Sequence, residues 1–299
     1  MSAEFFFYIL WFKLWLEPLD NFFSYLSPTS YEQKNCKGFN IRSFTMKIFW
    51  FLVAFLMSPF GIAGYVTWFI IFRKVLRYKN YQESFKESNE SYSLINKEIK
   101  TKSFELLSIN VCLMPESLSR QNNLCKTKER LVSLGNLINK TATNTFCYSN
   151  FNESKEEVYN FKNIPIDKKI ETNVKIIDDF IDGTDIDFLC LQEVWTIDTA
   201  VELKEILHKK YPFIIYDAGE KNFKNNKYVG LESGLLTASK YPILAADFKQ
   251  YTTKSGLCCY TSKGLLLTKV LIGRDEYGRS SIGFISNSHL QSYQSKRFL

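Results

Sequence analysis

The sequence predicts an α/β (α+β) domain with mixed sheets, preceded by membrane-associated helices. Three observations lead there. Short apolar runs edged by Gly, Pro or Ser recur from residue 103 onward, helical-period segments separate the earlier ones, and the first 80 residues crowd aromatic and aliphatic side chains together. The 299 residues allow one large or two small domains, and 45% hydrophobic content excludes a wholly disordered chain. A net charge of +7 suits an anionic partner. Because the cationic residues concentrate beside the apolar N-terminal sequence, an anionic phospholipid membrane surface is favoured and nucleic acid is not expected. Seven cysteines, without Cys-x-x-Cys spacing or a His-rich ligand pattern, read as reduced thiols on a cytosol-facing chain rather than a disulfide framework or a zinc site.

Residues 1–80 form the membrane-associated region. Phe5 to Phe12 with Trp15, Leu16 and Phe22 is apolar but interrupted by Lys13, Glu17 and Asp20, the pattern of a helix lying in the membrane interface. Against a signal peptide, Glu4 stands where a positive n-region belongs and no small-x-small cleavage site follows. Ile48 to Phe72 is free of charge and long enough to cross a hydrocarbon core of roughly 30 Å, but Ser58, Pro59, Gly61 and Gly64 interrupt it. Lys34, Lys37, Arg42 and Lys47 precede it and Arg73, Lys74, Arg77 and Lys79 follow it. Symmetric basic flanks predict a re-entrant hairpin over 48–72 with both ends on the cytoplasmic face, a kinked single span being the alternative. Cys36 beside it is a palmitoylation candidate.

Residues 81–102 read as a polar linker, and a domain follows over 103–299. Phe104 to Met114 is a strand candidate, Pro115 to Asn123 a polar turn, and Lys126 to Ile138 a helix. A polar insertion occupies about residues 140–167, and the glycosylation patterns at Asn139 and Asn152 are chance matches in so Asn-rich a stretch. Ile170, Val174, Ile177 and Ile181 recur at helical spacing and stop at Gly183. Asp187 to Trp195 then reads as a strand: Phe188 to Leu191 are all apolar, as in a strand covered on both faces, and Glu193 stands near its far end. Thr199 and Glu202 read as a capping box for a helix near Ala200 to Lys209. Phe213–Tyr216, Ser233–Ser239, Gly264–Ile272 and Ile282–His289 complete the strands.

Taken singly, the chemistry-bearing residues have ordinary readings beside functional ones. Glu193 suits the start of a solvated loop, and Asn110, inside an apolar strand, is either a satisfied core amide or a site residue. Lys263 suits an exposed strand edge, and His289 a packing or hydrogen-bonding position at a strand end. Their order is more specific than any of them. Asn110, Gln192-Glu193, the Ser233 to Ile243 segment (Ser-Gly-Leu-Leu-Thr-Ala-Ser-Lys-Tyr-Pro-Ile) and Ser288-His-Leu-Gln291 together resemble the endonuclease/exonuclease/phosphatase superfamily. Within it, Asn110 to Leu124, Phe188 to Val194 and Ser27 to Lys34 look like the membrane-bound neutral sphingomyelinases, as do the paired apolar N-terminal segments.

This resemblance implies the N-terminal portion of a four-layer α/β sandwich that hydrolyses sphingomyelin to ceramide and phosphocholine. It implies Mg²⁺ held by Glu193, Asn110 positioning the phosphate or the metal, and Lys263 and His289 as further catalytic residues. One carboxylate suffices chemically, because Mg²⁺ keeps several waters and lets phosphate oxygens fill other positions. The family's water-activating His lies in a Ser-Asp-His motif, assisted by a Gly-Asp-x-Asn motif and an Asp-Tyr pair. None of these occurs here, and His208 and His289 match other positions. The expectation is a chain without its C-terminal catalytic half, nearly inactive alone. Several related enzymes carry an Asp a few residues before the Lys, where this sequence reads Gly256 to Ser262 without one. Two other readings remain open: a phosphodiesterase of the same superfamily acting on another phospholipid, a phosphoinositide or nucleic acid, and an inactive membrane-bound module that binds anionic lipid or a full-length sibling. Golgi, plasma-membrane, endoplasmic-reticulum and mitochondrial surfaces are equally compatible with the sequence.

Overall fold

The computed structural model describes residues 3–35, 41–71, 77–80, 103–140, 186–219, 232–252, 258, 261–275 and 277–290. Cys36, the linker 81–102, the insertion beyond residue 140 and the helix expected through Ile170 to Ile181 lie outside the described residues. The chain divides into two compact units, one holding the N-terminal helices with residues 114–127, the other holding both sheets.

In the first unit α1 (Ala3–Tyr8), a π-helical segment (Ile9–Leu16) and α2 (Glu17–Leu26) follow one another without a break. α3 is Ser30–Asn35. α4 then runs continuously from Ile41 to Ile71, so the hairpin expected over 48–72 does not form. Proline at 59 removes the N–H that would serve the Phe55 carbonyl four residues back. The Ser58 hydroxyl replaces it, donating to Phe55 O at 2.8 Å, and the helix passes through. The two glycines are close-approach points rather than breaks. A side chain at Gly61 would collide with Trp15, and one at Gly64 would lie 2.7 Å from Leu10 Cβ. Trp11 is buried there, its ring 5.2 Å from that of Trp68 and 5.3 Å from that of Tyr65. By length and composition, Ser43–Trp68 is long and apolar enough to cross a membrane. Ser58→Ala is expected to leave Phe55 O without its donor and to cost about 1 kcal/mol, read as a lower unfolding midpoint in detergent; an unchanged midpoint would show that the carbonyl is served otherwise.

The same unit corrects the polar turn expected over Pro115 to Asn123, which contains a helix, α5 (Glu116–Gln121). Its N-terminal cap comes from far away in sequence. Asp20 of α2 accepts from the Glu116 and Ser117 amides at 3.0 Å each. Thr29 and Glu32 cap α3 reciprocally, with Thr29 N to Glu32 Oε2 at 2.8 Å and Glu32 N to Thr29 Oγ1 at 3.3 Å. Glu32 also pairs with Arg120 Nη1 at 2.8 Å. Burial pushes the Glu32 carboxyl up, but the Thr29 amide and Arg120 together outweigh it and hold it below the usual range. A carboxyl so lowered stabilises the fold above the ordinary glutamate pKa, and that contribution disappears as pH falls through its lowered value. Glu32→Gln should therefore reduce thermal stability at neutral pH and converge with the parent in acid, which melts across a pH series would show.

The second unit contains a mixed sheet in the order β1 (Arg77–Asn80), β4 (Phe213–Tyr216), β5 (Leu236–Ser239), β3 (Phe188–Val194), β2 (Leu106–Leu113). Only β2 and β3 are parallel among these neighbours. The second sheet is antiparallel, β6 (Ile243–Gln250), β7 (Gly264–Arg274), β8 (Ser280–Ser288). α6 (Thr127–Lys140) and α7 (Ile197–Leu207) cover one face of the first sheet, where Leu189 and Leu191 meet Leu131, Ile138, Leu203 and Leu207. Phe188 and Cys190 point the other way, onto Val270 and Ile285 of the second sheet. Helices, mixed sheet and antiparallel sheet thus stack as three layers among the described residues, as the predicted α/β class with mixed sheets requires. The helix after β3 begins earlier than its expected capping box: Thr196, not Thr199, caps it, accepting from Thr199 N at 3.3 Å. The Asn139 amide donates to Ile206 O at 2.7 Å, a structural use of that side chain.

Candidate functional site

β3 lies between β2 and β5, so its apolar residues bury on both faces and its C-terminal end carries Gln192 and Glu193 out of the core. A strand alternates its side chains, which would send these two residues to opposite faces. Glu193 breaks the alternation with φ of 65°, and both residues line one cleft. The neighbouring strand does the same at that level: Cys112 has φ of 51°, and the β2–β3 register slips between Asn110 and Leu113. Left-handed backbone at non-glycine residues is costly and gathers where a site needs side chains aimed off the regular lattice. Gly234, with φ of 72°, completes the floor. A Cβ there would lie 3.2 Å from both Glu193 N and Cα, and its carbonyl accepts from Val194 N at 3.0 Å.

The cleft measures about 310 Å³, and Asn110, Gln192, Glu193, Lys263, Ser288 and His289 line it. All four residues that the sequence put forward therefore converge. The Glu193 carboxylate is half-buried, and its pKa is lowered to about 2. His289 is the largest cause; burial opposes it, and hydrogen bonds from Asn110 and Cys112 assist. His289 Nε2 stands 3.6 Å from Glu193 Oε1, an ion-pair approach slightly longer than a hydrogen bond. Its Nδ1 donates to Ser233 O at 2.8 Å, and its ring lies 4.9 Å from that of Trp195. His289 is thus a buried side chain with one ring nitrogen on Ser233 O and the other facing the carboxylate.

Lys263 is also buried, which corrects the strand-edge reading. Its Nζ donates to Leu290 O at 3.2 Å and lies 5.7 Å from the centre of the Trp195 ring, a cation–π approach that offsets desolvation of the ammonium. Asn110 Oδ1 accepts from Cys112 N at 3.1 Å, which ties the site amide to the bulged backbone. The Cys112 thiol is pushed up to about 11, first by burial and then by Glu193, and at neutral pH it is an un-ionised hydrogen-bond donor. An ionised carboxylate at the floor of an open cleft, with amide groups beside it and an ammonium opposite, can hold a hard cation and an anionic oxygen together. Among the described residues no group of three His, Cys, Asp or Glu side chains could enclose a metal ion. One carboxylate with amide side chains beside it suits Mg²⁺, which keeps most of its own waters.

Asn287, Gly234 and Trp195 were not read as site residues from the sequence. Asn287 alone had a readable signal, an amide inside the apolar Ile282 to His289 run. Gly234 and Trp195 matter through contacts that no local pattern encodes.

No family model matches the chain. It is similar to sphingomyelin phosphodiesterase 5 of Danio rerio, 23% identical over 303 residues, covering 82% of this chain and 54% of the relative. It is also similar to sphingomyelin phosphodiesterase 3 of Homo sapiens, 38% identical over 110 residues, 36% of this chain and 17% of the relative. Among solved structures, beta toxin from Staphylococcus aureus with bound magnesium ions aligns at 15% identity and a TM-score of 0.40, covering 65% of this chain and 52% of the toxin. The chain spans about half the length of the first of these relatives, or less. Over part of its length the chain is thus similar to proteins named sphingomyelin phosphodiesterase 3 and 5.

Proposed function

We propose that this chain is a Mg²⁺-dependent phosphodiesterase of the neutral sphingomyelinase kind, acting on sphingomyelin in a membrane to yield ceramide and phosphocholine. The observation that carries the reading is the convergence of Asn110, Glu193, Lys263 and His289, distant in sequence, on one open cleft. Glu193 and, through its amide, Asn110 would hold the cation, whose bound charge supplies electrostatic stabilisation to the phosphate oxygens. Lys263 presents a second positive charge to the same anionic group. His289 orients the Glu193 carboxylate and keeps it ionised, which is a different task from activating water. α4 and the basic residues around it would hold the domain at an anionic bilayer, with its cytoplasmic face as the working side.

The test is release of phosphocholine from sphingomyelin vesicles containing anionic phospholipid, with and without Mg²⁺. It is run on residues 1–299 and on the longest reading frame that contains them, beside a panel of other phospholipids and phosphoinositides. Mg²⁺-dependent phosphocholine release supports the proposal. Release of another head group in preference overturns the substrate. Vesicle binding with no turnover in either protein overturns the enzyme reading in favour of a binding module.

A further inference from the structure

Asn287 is 1% exposed and bridges the two sheets. Its Nδ2 donates to Leu236 O at 3.0 Å, Leu191 O at 3.2 Å and Thr237 Oγ1 at 3.3 Å. Two of those partners are backbone carbonyls, which accept and never donate, so the nitrogen end of this amide must face the mixed sheet. Its oxygen end must then face Gln192. An acceptor there admits only a donor, and Gln192 presents Nε2 to it at 2.8 Å. The same Nε2 reaches Ser108 Oγ at 3.1 Å and Cys190 O at 3.2 Å. The polarity of one buried amide therefore dictates that of the next. The oxygen end of Gln192 is left toward the cleft that it lines beside Glu193, and meets no hydrogen-bond donor among the described residues.

Extending the reading that Glu193 and Asn110 hold Mg²⁺, and resting on it, we propose that Gln192 Oε1 is a further, neutral oxygen ligand of that cation and that Asn287 is the positioning residue that turns it there. A hard cation takes amide oxygens as readily as water, and a preset orientation removes the ordering cost of binding.

The experiment measures cation affinity directly, by Mg²⁺ calorimetry and Mn²⁺ electron paramagnetic resonance on the purified chain, with no substrate present. Gln192→Met, which keeps the length and removes the oxygen, is expected to weaken binding about tenfold. Gln192→Glu keeps an oxygen toward the cleft and adds charge, which is expected to tighten binding, while its other oxygen meets the Asn287 acceptor and lowers the melting temperature. Asn287→Leu should weaken binding in the parent and cost nothing in the Gln192→Glu background, where orientation no longer matters. A purely structural role would lower the melting temperature of the Asn287 variant without this dependence on background. If Asn287→Leu fails to fold, the two Gln192 variants decide alone. Unchanged affinity in both of them, while Glu193→Gln abolishes binding, overturns this proposal only. Binding that survives Glu193→Gln overturns the cation reading itself.

Discussion

In the longest reading frame that contains residues 1–299, Glu193→Gln is expected to lower Mg²⁺-dependent phosphocholine release by on the order of 10²–10³-fold, and in either protein to remove nearly all cation binding. The substitution is isosteric, so the approach of His289 Nε2 and the Asn110 hydrogen bond keep their geometry while the charge disappears. The fold should survive for the same reason, because neither of the backbone contacts at Gly234 uses the carboxylate. The pH profile separates charge from shape. With its pKa lowered to about 2, the Glu193 carboxylate stays ionised far below the ordinary glutamate range. Its contribution to stability is complete above the ordinary value and is lost only as pH falls toward about 2. The Glu193 carboxyl of the parent chain should accordingly show no protonation step on acidification to about pH 4, read by NMR without the cation. A step near the ordinary glutamate value would show that His289 and Asn110 do not hold the carboxyl down.

The second large effect is expected at Gly234→Val. The backbone there has φ of 72°, and the added side chain would press on Glu193 N and Cα, with Trp195 Cδ2 at 3.4 Å from its first carbon. A left-handed conformation costs a non-glycine residue about 1–2 kcal/mol, and overpacking adds about 1–3 kcal/mol. A loss of about 2–5 kcal/mol follows, read as a melting point lower by roughly 4–20 °C. Relief of the clash requires β3 to move at Glu193, so cation affinity should fall with it. Gly278 supplies the control: φ is 75°, but nothing lies within 4 Å of a Cβ placed there. Gly278→Ala should show the backbone cost alone and leave cation binding unchanged. Equal losses at both glycines would mean that the approach to Glu193 contributes nothing.

Much of the sheet architecture was legible because burial on two faces leaves a plain mark. Phe188 to Leu191 and Phe213 to Tyr216 are runs of apolar residues with no polar alternation, and both form strands at the predicted positions. Two strands carried no such mark. β6 mixes Ala245, Ala246, Asp247 and Lys249 on a half-exposed sheet, and β1 is the basic tetrapeptide Arg77 to Asn80, pinned by Arg77 to Asp217 at 2.8 Å. The proline at 59 misled in the opposite direction. Its local rule is sound, but the hydroxyl of the preceding serine cancelled the cost, and packing of Trp15 and Leu10 on the glycine face supported the helix from outside. α5 was missed because its cap is Asp20, 96 residues earlier.

The candidate site divides along the same line. Sequence alone determined which side chains were chemically available, since one carboxylate after a buried strand, one amide inside another, and a lysine and a histidine at strand ends are visible as residue types in an apolar context. Only the tertiary structure decided what each of them does. It turned Glu193 beside Gln192 through a left-handed residue and buried Lys263 over an indole. It also engaged His289 on both sides, with Nδ1 on Ser233 O and Nε2 toward the Glu193 carboxylate. The reason is physical. Residue type fixes which groups can carry charge or donate a proton, whereas pKa, orientation and hydrogen-bond polarity are set by neighbours within a few ångströms, most of which lie far away along the chain.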